Sequence, residues 1–149
     1  MAIDYEALAK GMAAAVPFNG HLGLEYVSIG PGEAVIRLPD DERLRNHVGS
    51  QHAGGLFAVA EAASGGAFVS CFAERLGDVT PLAAEASIRY TKLAKGPIDA
   101  TARLQGAEAL IAELDREGKV SFPIEVELAD SEGNAVAAAT VQWHVRLKS

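Results

Sequence analysis

Glu61 is the one charged residue in an apolar run over residues 53–73, AGGLFAVAEAASGGAFVSCFA. A buried carboxylate is costly unless a partner neutralises it or a reaction uses it. Directly upstream lies the polar stretch Asn46-His47-Val48-Gly49-Ser50-Gln51-His52, and the run itself opens on Ala53, Gly54 and Gly55. If the run is a helix, its first backbone N–H groups lack partners and point out along a favourable dipole. Such amides can stabilise a developing oxyanion. Apolar surroundings push a glutamate pKa upward and make it a better base near neutrality. Acid-base or nucleophilic chemistry beside an oxyanion site is therefore the chemistry these residues could do.

The remaining elements must hold that pair in place. Residues 4–16 read as a short amphipathic helix, with Tyr5, Leu8, Ala9, Met12 and Val16 at helical spacing and Pro17 as its end. Residues 23–30 and 33–38 predict a hairpin across Gly30-Pro31-Gly32, the second strand setting Ala34, Ile36 and Leu38 against Glu33, Val35 and Arg37. Residues 39–51 are polar and irregular, and the central helix should run from about Ala53 to Arg75. After Gly77 the period becomes two: Ala86, Ile88 and Tyr90 oppose Glu85, Ser87 and Arg89. Further strands are predicted over 98–104, over 120–128 and around Val141, Trp143, Val145 and Leu147, with a charged helix over 108–117 ending at Gly118. Pro123 predicts a bulge or an edge in its strand. One helix that is hydrophobic nearly all round must be covered on most sides. A curved antiparallel sheet wrapped around it meets that need, with Ala58, Ala62, Gly65 and Gly66 permitting close approach. The fold class is α+β, a single domain over residues 1–149.

Bulk properties remove several function classes. With 149 residues, 49% hydrophobic and 22% charged, the chain is globular rather than disordered. A formal net charge of −7 argues against general nucleic-acid binding, because no basic excess exists to neutralise phosphates. The lone Cys71 rules out a disulfide framework, and no His/Cys/Asp cluster has zinc spacing, so no metal is expected. The N-terminus lacks a basic n-region and a continuous apolar core, so no signal peptide is read there. The central run has about the length of a membrane span, but it is rich in Ala, Gly and Ser, carries Glu61 near its middle and has no cationic flank. We expect a cytoplasmic protein with no membrane partner.

The pattern Asn46-x-x-Gly49-x-x-His52-x-Gly54, followed nine positions after the histidine by Glu61, resembles the hotdog-fold acyl-CoA thioesterases, in particular the small phenylacetate-type enzymes. Element order and length agree over nearly the whole chain. The resemblance implies a curved antiparallel sheet around one long helix, and hydrolysis of an acyl-CoA thioester with a small, medium or aryl acyl group. CoA enters only as part of the substrate, and no cofactor is implied. In the family the oxyanion amide follows the histidine by one residue, which is Ala53 here. The usual His-Gly-Gly reads His-Ala-Gly in this chain, and an alanine can still offer its main-chain N–H. Glu61 is implied as general base or as nucleophile through a transient anhydride. Asn46 is implied to orient the water or the carbonyl, and His52 to shape the pocket. Gly54, Gly55, Ser64, Arg89 and Lys92 complete the implied substrate contacts, with Lys95 a further cation for CoA phosphates. Family members often carry a water-holding hydroxyl one turn after the glutamate; here that position is Gly65, with Ser64 one residue short.

The family builds its active site between two subunits, so the resemblance implies a homodimer and admits a dimer of dimers. Two rivals follow. A non-catalytic hotdog module that binds an acyl thioester or CoA would keep every pocket feature. A hydratase on the same fold would need a His with an Asp or Glu at a different spacing, which the chain lacks. His21, His47 and His144 carry no partner signal, and Trp143 fits a core or interface strand face.

Overall fold

The longest apolar stretch of the chain forms a helix, α3 (Ala53–Phe72), and the other elements cover it. The computed structural model describes residues 2–149. Two short helices, α1 (Tyr5–Ala15) and α2 (Pro17–Leu22), precede strands β1 (Glu25–Gly30) and β2 (Glu33–Leu38); after α3 come β3 (Val79–Tyr90), β4 (Ile98–Arg103), α4 (Ala107–Glu117), β5 (Lys119–Ala129) and β6 (Ala135–Leu147). The strands make one sheet in the order β1-β2-β4-β5-β6-β3. Every neighbouring pair is antiparallel.

Strand alternation follows the expected pattern. Ala34, Ile36 and Leu38 of β2, Phe122, Ile124 and Val126 of β5, and Val141 and Val145 of β6 are all buried. Together they wrap α3, which packs chiefly on β2, β4 and β5. The helix is long and apolar enough to cross a membrane by length and composition, and 67% of that window is buried inside the fold. Phe68 and Phe72 of α3 stack on each other at 4.6 Å, and Phe68 lies 5.5 Å from Trp143 of β6.

Small residues set how near the sheet comes. A Cβ added at Gly66 would sit 2.7 Å from the Ala34 Cβ, whereas one at Gly65 would meet Trp143 at an ordinary 3.7 Å. Gly66→Ala is therefore expected to cost about 1–3 kcal/mol through overpacking. Gly65→Ala should gain up to about 1 kcal/mol of helix propensity. Urea unfolding of the two variants side by side tests both signs; equal stabilities would refute the close approach at Gly66. In the β1–β2 hairpin, Gly32 takes φ 73° and lies where a Cβ would be 2.6 Å from the Leu104 carbonyl, so only glycine fits.

Two expectations need correction, and a third is met only locally. Pro17 does not merely end the first helix: as the first residue of α2 it starts a second one, its missing N–H being an orphan there anyway. The α-helical part of α3 ends at Phe72 and tightens into a 3-10 segment over Ala73–Asp78, where Arg75 pairs with Asp115 at 2.6 Å. Pro123 lies on an inner strand with its register to β6 unbroken at Pro123↔Gln142. On the other side β4 pairing stops at Arg103↔Glu125, so Pro123 meets a locally open edge. The strands that are edges along their whole length are β1 and β3, and β3 carries Pro81.

Candidate active site

The loop before α3 is built by its own polar side chains. The Asn46 Oδ1 accepts from the backbone N–H groups of Val48 and Ser50, both at 3.0 Å. The Asn46 N–H donates to the Ser50 carbonyl at 2.8 Å, closing the turn. Ser50 and Gln51 are buried and tie the loop to the segments after β2 and β3: the Ser50 Oγ accepts from the Ala94 N–H at 2.9 Å, and the Gln51 Nε2 donates to the Pro39 and Gly96 carbonyls. The oxygen of Asn46 is thus spent on shaping the loop, and its amide group is the part left to face a ligand.

His52 caps α3. Its Nδ1 accepts the Gly54 N–H at 2.8 Å, a side-chain cap on the helix start. Gly54 is therefore occupied by the cap. The Ala53 and Gly55 N–H groups donate to no backbone acceptor among the described residues. Gly55 is buried, its place for a Cβ lying 3.3 Å from a Leu38 methyl, so it serves packing. Ala53 is exposed. The free, accessible amide at the helix start is that of Ala53. Tyr90, at the end of β3, donates its hydroxyl to the Ala53 carbonyl at 3.1 Å. Sequence reasoning did not single out Tyr90, because only the sheet order brings the end of β3 to the start of α3.

Glu61 lies half-buried two turns further along α3. Burial pushes its pKa above the ordinary carboxylate value, with no charge or hydrogen bond offsetting the shift. It sits at a cavity of about 160 Å³ whose walls include Met12, Val16, Tyr26, Phe68 and Trp143. Asn19, 5% exposed, also lines it and donates its Nδ2 to the Tyr26 hydroxyl at 3.1 Å. Burial raises the Tyr26 pKa, the Asn19 bond lowers it, and the Glu61 charge raises it again. Asn19 escaped sequence reasoning because α2 did; Tyr26 had no signal beyond its strand. A larger groove of about 580 Å³ runs between α1 and β1, past Glu6, Lys10 and Ser28, and includes neither Glu61 nor the His52 loop.

The other expected contacts divide. Ser64 is fully buried, donating to the Glu61 carbonyl at 2.7 Å and accepting from the Trp143 Nε1 at 3.0 Å. Its hydroxyl belongs to the core and not to a ligand surface. Arg89, Lys92 and Lys95 are exposed; the Asn134 N–H chiefly lowers the pKa of Asp130 in the β5–β6 turn, and the charge of Lys92 adds least to that. Ala53 and Glu61 are eight residues apart, about 12 Å along a helix axis. One reacting atom held about 3 Å from each group spans roughly half of that.

Residues 5–145 match the family described as DUF4442, a domain of unknown function. A protein of unknown function from Pseudomonas aeruginosa, described as a probable thioesterase, is 29% identical and superposes with a TM-score of 0.87 over 96% of each chain. The PaaI protein of the E. coli phenylacetic acid degradation operon is 21% identical, with a TM-score of 0.71 over 95% of this chain and 91% of that one. A protein of unknown function from Chlorobaculum tepidum is 17% identical, with a TM-score of 0.85 over 96% of each chain. The last two likenesses speak to the fold alone. No curated protein matches the sequence. The six-stranded antiparallel sheet around one long helix is the hotdog fold.

Proposed function

The chain belongs to the DUF4442 family and has the hotdog fold of thioesterases, and from that premise we propose that it hydrolyses acyl-CoA thioesters. The observation that carries the reading is Glu61: a half-buried carboxylate with a raised pKa, opening on an apolar cavity. When ionised, a carboxylate whose pKa burial raises is a stronger proton acceptor than a free one, able to activate water against a thioester carbonyl. The oxyanion that forms is stabilised by the Ala53 N–H at the positive end of α3. The CoA thiolate then leaves and takes up the proton. A direct attack by the carboxylate, through a mixed anhydride that water then opens, uses the same two groups.

We propose further that the working site lies between two copies of the chain. The separation of Ala53 from Glu61 along one helix is the first support. A two-fold axis crossing α3 midway between them, near Phe57, would set each Ala53 against the partner's Glu61. Phe57 is 39% exposed, an unusual state for a phenylalanine on a core helix, and fits such a crossing. The edge strand β3 also lacks cover, with Leu82 59% exposed, and would pair with its own copy.

Thiol release from a panel of acyl-CoAs, acetyl to palmitoyl with phenylacetyl and benzoyl, tests the reading. Turnover of at least one member is expected. Binding of the esters with no turnover of any would favour the non-catalytic acyl-thioester module instead.

A further inference from the structure

Hydrolysis needs Glu61 and an oxyanion donor; it does not need the cavity behind Glu61. That cavity is walled by Met12 and Val16 from the N-terminal segment, Phe68 and Val69 from α3, Leu76 and Trp143. Its other polar side chains bond partly to one another and to the core: the Asn19 Nδ2 donates to the Tyr26 hydroxyl, and the Trp143 Nε1 donates to Ser64. The interior is therefore a largely apolar hollow with the Glu61 carboxylate at its edge. At about 160 Å³ it is far too small for CoA and close to the roughly 150 Å³ that accommodates a benzene ring. We infer that this hollow receives the acyl group, that it accepts one aromatic ring or a straight chain of roughly six carbons, and that α1 and α2 form the lid that sets this limit. The inference rests on the hydrolase reading for its substrate, and on the cavity for its size. The lid is a light one, because no residue of α1 is fully buried and Val16 is 41% exposed. Substitutions there can reshape the pocket without cutting into the core around Phe72 and Ile124.

Two variants move the limit in opposite directions. Val69→Phe fills the hollow, and Met12→Ala with Val16→Ala opens its roof. The wild type is expected to prefer hexanoyl- and phenylacetyl-CoA. Val69→Phe should lower the hexanoyl-to-acetyl ratio of kcat/KM by about tenfold or more, and the double variant should shift the preference to longer chains. Should Val69→Phe fail to fold, the double variant carries the test alone. Trp143, the only tryptophan in the chain, gives a second readout independent of turnover. Hexanoate and phenylacetate should change its emission saturably, and CoA alone should not. Chain-length profiles unchanged in the variants, with hydrolysis intact, would overturn the pocket and leave the hydrolase. No hydrolysis, but a saturable Trp143 response that the variants alter, would retain the pocket and overturn the hydrolase. No turnover and no Trp143 response would overturn both.

Discussion

Glu61→Gln is expected to lower kcat/KM on the best acyl-CoA roughly a hundredfold or more, about 2.7 kcal/mol of transition-state stabilisation, and to raise the melting temperature at neutral pH. The second half follows from the direction of the pKa shift. Burial raises the Glu61 pKa above its ordinary 4.5 in the folded chain only. Well below pH 4.5 both states hold the proton, and the group contributes nothing to the pH dependence of folding. As pH rises, the unfolded chain releases its proton first, and the folded chain later and at greater cost. Above the folded pKa the ionised carboxylate therefore destabilises the fold by an amount that glutamine avoids. The stability gain of the variant should be present near pH 7 and absent near pH 4. The acid limb of the wild-type kcat/KM profile should likewise lie above the ordinary carboxylate range. A Glu61 held as a structural ion pair would behave the other way, and glutamine would then lower the melting temperature. A fold that is made less stable by a group it keeps is the usual signature of a working residue.

Ala53→Pro is expected to lower kcat by about 10²–10³ while leaving stability nearly unchanged. Proline is favoured at the first helical position, where it deletes an N–H that has no partner in the helix. Ala53 is that residue in α3, and its N–H donates to no backbone group among the described residues. His52 before it has φ −66° and ψ 141°, the extended conformation that a following proline requires. The substitution is thus close to an atom-for-atom removal of the oxyanion donor. Thermal unfolding checks the fold, and initial rates at saturating substrate check the chemistry. Activity within about twofold of wild type would mean that another amide holds the oxyanion.

Much of this is legible in the sequence. The run around Glu61 is hydrophobic on all sides, so it demanded a sheet on most of them, and Gly66 against Ala34 is where that demand is met most tightly. Alternation in β2, β5 and β6 was clean because one face of each is core and the other is not. What stayed hidden depended on neighbours distant in sequence. The capping bond of His52 and the free amide of Ala53 follow from a helix start, a local matter that the sequence announces. The Tyr90 contact follows from strand order, which it does not. Ser64 looked available beside Glu61, but 0% of it is exposed and its hydroxyl is shared between the helix backbone and Trp143. Pro17 misled for a simpler reason: the same residue that stops one helix is the best first residue for the next.

The central claim is that Glu61 and Ala53 act together from different copies of the chain, and mixed pairs test it most directly. Glu61→Gln and Ala53→Pro chains carrying different tags would be co-produced, the mixed pairs isolated, and their thiol-release rate compared with each parent. If the site is shared across a pair, one of the two sites in every mixed pair has both groups intact. The rate should then return to about half of wild type, although both parents are nearly inactive. Mixed pairs as inactive as their parents would mean that both groups must come from one chain, and the shared site would be wrong.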